Sequence, residues 1–288
     1  MYPSPFEYYR PSSVPDTIKL LQDNPEGKIL AGGHSLLPMM KLRLANPAAL
    51  IDIGTIDGLR GVTAEGDRII IGPLTTYYDL IHNDTIRQTL PIIYDAASVV
   101  GDAQVRYRGT FGGSLAHADP ASDMPAVALA LDAQLKVIGP NGERTIPATE
   151  FLIDMFTTAL EPDEVLTEII IARPPARTGM TYLKFAHPAS GYAIVGVAAV
   201  VTLGENGTVA SARVAVTGAG PVARRATATE EAVSGQAPTV DTIKAAAAKA
   251  PEGMTFLGDI HASEDYRQHL VEVYVERALT QAVERARG

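Results

Sequence analysis

The chain has 288 residues, is 46% hydrophobic and 20% charged, carries a formal net charge of −9, and contains no cysteine. An acidic chain without a Lys/Arg-rich run is poorly suited to neutralising phosphates, so nucleic acid is excluded as an expected partner. Without thiolates it cannot form a disulfide or hold a metal cluster through sulfur.

The start, MYPSPFEYYRP, has no basic region followed by an apolar stretch, so no leader peptide is expected. Val14 to Leu21 has apolar residues at helical spacing, with Pro15-Asp16 suiting a helix start. Lys28 to Ala31 form a short strand that runs into Gly32-Gly33-His34-Ser35. Leu36 to Leu44 then read as a helix and Ala49 to Ile53 as a second strand, a crossover unit that implies parallel pairing. Arg60 to Ala64 and Arg68 to Gly72 flank Glu65-Gly66-Asp67 as a hairpin. Thr75 or Thr76 caps a helix through His82, and Pro91 to Val100 is another helix. Ser122 or Asp123 caps a helix through Leu131, with Pro125 in its first turn. Strands follow at Ala133 to Ile138 and Val165 to Ile171.

Arg173-Pro174-Pro175-Ala176-Arg177 is stiff and hostile to helix, and a boundary is expected there. Beyond it, Thr181 to Ala186, Ala193 to Leu203 and Val209 to Thr217 read as strands, the last two joined by the turn Glu205-Asn206-Gly207. The nearly apolar run from Tyr192 to Leu203 is too short for a bilayer and reads as a buried strand. Helices are expected over Ala226 to Val233, Val240 to Lys249 and Ser263 to Arg285. The expected units are 1–57, 58–175 and 178–288.

Two glycine-rich segments carry the chemistry. One is Ala31-Gly32-Gly33-His34-Ser35. The other is Gly109-Thr110-Phe111-Gly112-Gly113-Ser114, followed by Leu115-Ala116-His117-Ala118-Asp119-Pro120-Ala121-Ser122-Asp123. Paired glycines let backbone N–H groups form a concave anion site, and a helix N-terminus adds positive potential. Taken singly, each pair reads as a tight turn; two such segments far apart could clamp a pyrophosphate from both sides. Ser35, Thr110 and Ser114 add hydroxyl donors. Neither segment is a dinucleotide GxGxxG or a phosphate loop ending in Gly-Lys-Ser/Thr. His34 is expected to contribute backbone rather than imidazole. His117 either touches a ligand or packs through a hydrogen bond. Asp119 suits a turn before Pro120, and Asp123 a helix start, where it could also accept from a sugar hydroxyl. The histidines show no metal-ligand spacing, and no metal is expected in this chain.

The stretches AGGHSLLPMMKLRL and QVRYRGTFGGSLAHADPASDMPA resemble the two signatures of the flavin-binding medium subunits of aerobic carbon monoxide dehydrogenases, a module shared with the wider xanthine dehydrogenase group. The resemblance implies an α+β fold: a two-part FAD-binding domain of the vanillyl-alcohol-oxidase-like type, then a C-terminal domain of three-stranded antiparallel sheet and helices. It implies one non-covalent FAD. Leu30, Ala31, Gly32, Gly33, His34, Ser35 and Leu36 match the first pyrophosphate loop, and Thr110, Gly112, Gly113 and Ser114 the second. Val100 and Gln104 fall in the approach to the second loop. Asp123 matches an acid near the ribose or adenine, Leu166 a backbone contact to adenine, Lys184 a flavin-side lysine and Tyr192 an aromatic beside the isoalloxazine.

The chain departs from the pattern at Ser114, where an asparagine is usual, at Gly191, where an acid is common, and in the absence of basic residues from Phe185 to Ser190. The resemblance further implies an iron–sulfur small subunit with [2Fe-2S] clusters and a large subunit with the molybdenum cofactor, arranged as a dimer of heterotrimers. Substrate is then oxidised on a partner, so no catalytic residue is expected here. The acceptor is a quinone or another non-nicotinamide oxidant. The location is cytoplasmic, at most in peripheral contact with the inner face of the membrane through the complex. Purine, N-heterocycle and aldehyde hydroxylases share this module, and a self-sufficient flavin oxidase is a different class that would need its own substrate pocket.

Overall fold

The alternation at the N-terminus folds as a small parallel sheet. In the computed structural model, which describes residues 2–288, the chain opens with β1 (Glu7–Tyr9), α1 (Val14–Asp23), β2 (Gly27–Leu30), α2 (Leu36–Lys41) and β3 (Ala49–Asp52). Met1, part of the expected first unit, lies outside the described residues. Strand β3 is central and pairs in parallel with both β1 and β2. Ser13 caps α1, its hydroxyl accepting from Asp16 N at 3.2 Å. Helix α2 stops at Lys41, short of the expected Leu44. Arg43 takes φ +60°, and Leu44 N donates back to Met39 O at 2.9 Å, a left-handed helix stop.

The middle of the chain runs β4 (Val62–Glu65), β5 (Arg68–Ile71), α3 (Tyr77–Ile81), α4 (Asp84–Thr89), α5 (Pro91–Ser98), α6 (Ala103–Arg108), α7 (Phe111–His117), α8 (Met124–Ala130), β6 (Gln134–Gly139), β7 (Gly142–Pro147), α9 (Ala148–Phe151), β8 (Leu152–Asp154), β9 (Thr157–Thr158) and β10 (Val165–Ala172). A five-stranded antiparallel sheet has the order β4-β5-β10-β6-β7. Its core includes Ile69, Ile71, Leu135, Val137 and Ile169, packed with Leu80, Ile93, Phe111 and Val127 from the helices. Thr76 begins α3 with a full capping box: its hydroxyl accepts from Asp79 N, and the Asp79 carboxylate accepts from Thr76 N, each at 3.1 Å.

The last part contains β11 (Thr178–Ala186), β12 (Ala193–Leu203), β13 (Val209–Thr217), β14 (Arg224–Arg225), α10 (Thr227–Val233), α11 (Val240–Ala247) and α12 (Glu264–Arg287). The three expected strands form, and the two-residue β14 adds an edge to make four. Strand β12 is buried on both faces. Ala198 and Val200 join the core of the preceding part, whereas Val197, Ala199 and Val201 pack with Val271, Val275 and Leu279 of α12. That two-sided burial explains its unbroken apolar sequence. Among the described residues, no helix is long and apolar enough to cross a membrane.

Candidate functional site

The first glycine segment leaves the end of β2 and enters α2. Gly33 has φ +76°, which a side chain would resist. A Cβ on Gly32 would fall 2.0 Å from Arg108 O, so this position admits only glycine. Among the described residues, the N–H groups of Gly32, Gly33, His34 and Ser35 make no hydrogen bond. Four consecutive unpaired donors at a strand-to-helix junction form an anion cradle. Ser35 precedes α2 without capping it, which keeps its hydroxyl free of that role. The His34 ring is exposed and turns back on its own loop, with Nδ1 3.3 Å from Gly32 O.

The second segment is not the turn expected from its glycines. It is the first turn of α7, capped by Thr110, whose hydroxyl accepts from Gly113 N at 3.1 Å. Its other N–H groups also have internal acceptors. Phe111 N donates to Thr75 O at 3.1 Å, Gly112 N to Pro73 O at 2.9 Å, and Ser114 N to Thr110 O at 3.1 Å. A Cβ on Gly112 would fall 2.2 Å from Pro73 Cβ, so its glycine serves close packing. The expected second N–H nest is therefore replaced by hydroxyls, those of Thr110 and Ser114. The Ser114 hydroxyl shares a short hydrogen bond with that of Ser122.

The two segments do converge. A Cβ built on Gly113 would lie 3.8 Å from Ala31 Cβ. Both line one cleft of about 1120 Å³, whose wall also includes Pro25, Lys28, Leu166, Val100, Asp123 and Tyr192. This exceeds the usual range for a small-substrate pocket, roughly 300–1,000 Å³, and suits an extended dinucleotide.

The cleft wall contains Ala31, Gly32, Gly33, His34, Ser35, Leu36, Val100, Thr110, Gly112, Gly113, Ser114, Asp123, Leu166 and Tyr192 of the expected set. Leu30, Gln104 and Lys184 are not part of that wall. Leu30 lies beneath Gly33. Gln104 is exposed on α6, its amide against the Asp102 carboxylate that caps that helix. Lys184 lies behind the wall with its side chain 4% exposed, pairing with Asp123.

Asp123 does not cap α8. It takes helical dihedrals at the start of α8, and its side chain makes no capping bond. Its Oδ1 accepts from the Tyr182 hydroxyl at 2.5 Å, and its Oδ2 from Lys184 Nζ at 3.1 Å. Lys184 Nζ also donates to Val99 O at 2.8 Å. Burial pushes the Asp123 carboxyl above the ordinary carboxylate range, while Lys184 and Tyr182 pull it back. Burial likewise raises the phenols of Tyr77 and Tyr192, with Asp123 adding to both. His117 is half-buried in the cleft, its ring 5.1 Å from that of Phe156, and burial lowers its pKa. Asp119 has the expected turn role, accepting from Ala121 N at 2.9 Å.

Sequence reasoning missed Tyr77, Pro73, Phe156 and Glu161 in the wall. Only Tyr77 had a signal, the Thr76-x-x-Asp79 capping box that sets it at the first position of α3.

Two family models match. The "FAD binding domain in molybdopterin dehydrogenase" covers residues 4–174, and the "CO dehydrogenase flavoprotein C-terminal domain" covers residues 180–282. The chain is 40% identical over 283 residues to the carbon monoxide dehydrogenase medium chain of Hydrogenophaga pseudoflava, covering 98% of each. It is 38% identical over 288 residues to the 6-hydroxypseudooxynicotine dehydrogenase complex subunit alpha of Paenarthrobacter nicotinovorans, covering 100% of this chain and 97% of that one. A solved structure of carbon monoxide dehydrogenase from Hydrogenophaga pseudoflava superimposes with a TM-score of 0.96 at 42% identity, covering 99% of both chains.

Proposed function

Because this chain belongs to the family of FAD-binding medium subunits of molybdopterin dehydrogenases, we propose that it is the flavin subunit of a carbon monoxide dehydrogenase-type molybdenum hydroxylase. In this reading a small iron–sulfur chain with [2Fe-2S] clusters and a large molybdenum chain are its partners. Substrate is oxidised on the large chain, and electrons leave through this one to a quinone or another non-nicotinamide acceptor. The complex is a cytoplasmic dimer of heterotrimers that touches the membrane at most peripherally.

The observation that carries the reading is the free donor row from Gly32 to Ser35, lining one dinucleotide-sized cleft together with Thr110, Gly112, Gly113 and Ser114. FAD, when bound, supplies the conversion between two-electron and one-electron chemistry. The chain's residues do the holding. Gly32 to Ser35 donate to the pyrophosphate, with Leu30 beneath Gly33 and Leu36 lining the cleft just after the loop. Thr110 and Ser114 offer hydroxyls, and Gly112 and Gly113 let α7 approach. Leu166 borders the adenine end. Tyr192 and Val100 border the ring; Asp123 serves the ribose or adenine and Lys184 the flavin side, the two held with Tyr182 as one buried group behind the cleft wall. Gln104 acts only through α6. The same reading divides the chain into 1–57, 58–175 and 178–288, supported by sheets that each stay within one part (β1–β3 in the first, the five-stranded sheet and the β8–β9 pair in the second, β11–β14 in the third) and by family matches that meet between residues 174 and 180.

A second reading, the flavin subunit of a hydroxylase for an N-heterocycle or another organic substrate, is favoured by the near-equal identities of 40% and 38% to relatives named for different substrates. The test is reconstitution. The chain should bind one FAD without covalent attachment and show no substrate turnover alone. Added to its small and large partners, it should restore acceptor reduction, with carbon monoxide and N-heterocycles compared as substrates. Turnover by the isolated chain would favour a self-sufficient oxidase, and failure to bind FAD at saturation would overturn both readings.

A further inference from the structure

Tyr192 is carried by a short loop, His187 to Tyr192, between β11 and β12. The loop closes on itself. His187 N donates to Tyr192 O at 2.8 Å, and Gly191 N donates to His187 O at 2.9 Å. The His187 ring fills the inside of this turn. Its Nδ1 lies 3.3 Å from Ala189 N, 3.1 Å from Ser190 N and 3.1 Å from Ser190 Oγ. Two of these partners are backbone N–H groups, which can only donate, so Nδ1 carries a lone pair and the ring proton sits on Nε2. Nε2 then points at His261 Nδ1, 3.1 Å away. Ser190 Oγ in turn accepts from Tyr192 N at 3.3 Å. The imidazole thus plays the part an aspartate or asparagine plays in an Asx turn, accepting from the N–H groups two and three residues on.

We propose that His187 is a positioning residue for the cofactor ring: its Nδ1 acceptor shapes the 187–192 loop so that Tyr192 faces the cleft. The inference rests on the reading that Tyr192 lies against the isoalloxazine. Without the ring nitrogen, Ala189 N and Ser190 N lose an acceptor and Ser190 Oγ is free to turn, so Tyr192 N loses its fixed partner. Tyr192 is 46% exposed; the backbone bonds from His187 N and Gly191 N close the loop, and the ring nitrogen sets its inner turn and, through Ser190, the Tyr192 N–H. His261 braces the ring from the other side, through a backbone turn closed by Asp259 Oδ1, which accepts from His261 N at 2.8 Å.

The test uses the full chain loaded with FAD and reads bound-flavin fluorescence and the visible circular dichroism of the flavin bands, at equal FAD stoichiometry. A phenol stacked on a flavin quenches its emission. His187→Leu should raise the emission several-fold, towards the level of Tyr192→Leu. His187→Asn, which keeps an acceptor for the same N–H groups, should stay at the wild-type level. Ser190→Ala should give a smaller rise, and it preserves the contrast if His187→Leu does not accumulate. Wild-type emission in both His187→Leu and Ser190→Ala, alongside a raised signal in Tyr192→Leu, would overturn the positioning role alone. An unchanged signal in Tyr192→Leu would instead remove the placement of Tyr192 on the ring, and the proposal with it.

Discussion

Replacing Lys184 by methionine isolates the energetics of the buried pair behind the cleft. The Lys184 and Asp123 side chains are only 4% and 6% exposed, and their charged atoms are 3.1 Å apart. At an effective dielectric constant of ~20, their Coulomb attraction is about 5 kcal/mol, most of it offset by desolvation while both partners are present. Lys184→Met removes the attraction but leaves the desolvated carboxylate, a change that costs about 3–5 kcal/mol. The sign of the pH dependence follows from the raised carboxyl of Asp123. The folded state binds this proton more tightly than the unfolded state, so the group lowers stability as pH rises from the ordinary carboxylate value through the raised one. Losing Lys184 moves the upper end of that window further up. Lys184→Met should therefore be strongly destabilised at pH 8 and recover as the pH is lowered towards 5. Asp123→Asn added to Lys184→Met should restore most of the loss at pH 8. The assay is urea unfolding of the FAD-loaded chain at fixed free FAD across that pH range, since ligand concentration itself shifts stability. A loss below about 1 kcal/mol, or one independent of pH, would refute the reasoning.

Gly32→Ala places a methyl group 2.0 Å from Arg108 O and should cost about 1–3 kcal/mol while abolishing FAD retention, read as the flavin-to-protein absorbance ratio. Thr110→Val removes the acceptor for Gly113 N and should lower stability by about 1 kcal/mol in chemical unfolding, together with weaker FAD binding by titration. His34→Ala should change the FAD Kd by less than about threefold, because the N–H of residue 34 is kept; a larger loss would show that the imidazole itself binds.

Regular patterns were legible where one residue type repeats. The parallel β2–α2–β3 unit followed from strand, glycines, helix and strand. The length of β12 and β13 followed from their valine and alanine runs, and Ser263 marked the start of α12. Short polar elements were not. Strand β7 reads Gly-Glu-Arg-Thr-Ile-Pro and buries only Ile146, so no alternation distinguishes it from a loop. The glycines of 109–114 pointed to a turn, yet Thr110 and the carbonyls of Pro73 and Thr75 draw the segment into a helix. Those carbonyls lie 36 to 39 residues before the N–H groups they accept from and leave no local trace. Asp123 looked like a cap because local sequence offers it nothing else. Its real partners, Tyr182 and Lys184, are 59 and 61 residues away and become visible only once the fold brings these two β11 side chains to the start of α8. The joint location of the two glycine segments was legible; which of them keeps free N–H groups was not.

Thr217 at the end of β13 donates from its hydroxyl to Pro120 O at 2.9 Å and to Ser122 O at 2.7 Å, while Gly218 N donates to Pro120 O at 2.8 Å. The stretch that carries Ser122 and Asp123 is therefore stitched to a strand almost a hundred residues downstream. A chimera that joined this front half to the back half of a distant relative would have to match that seam as well as its cofactor loops. Shuffling between subunits of this kind should succeed where the stitch is preserved and fail at the seam where it is not, even when every flavin-facing residue is retained.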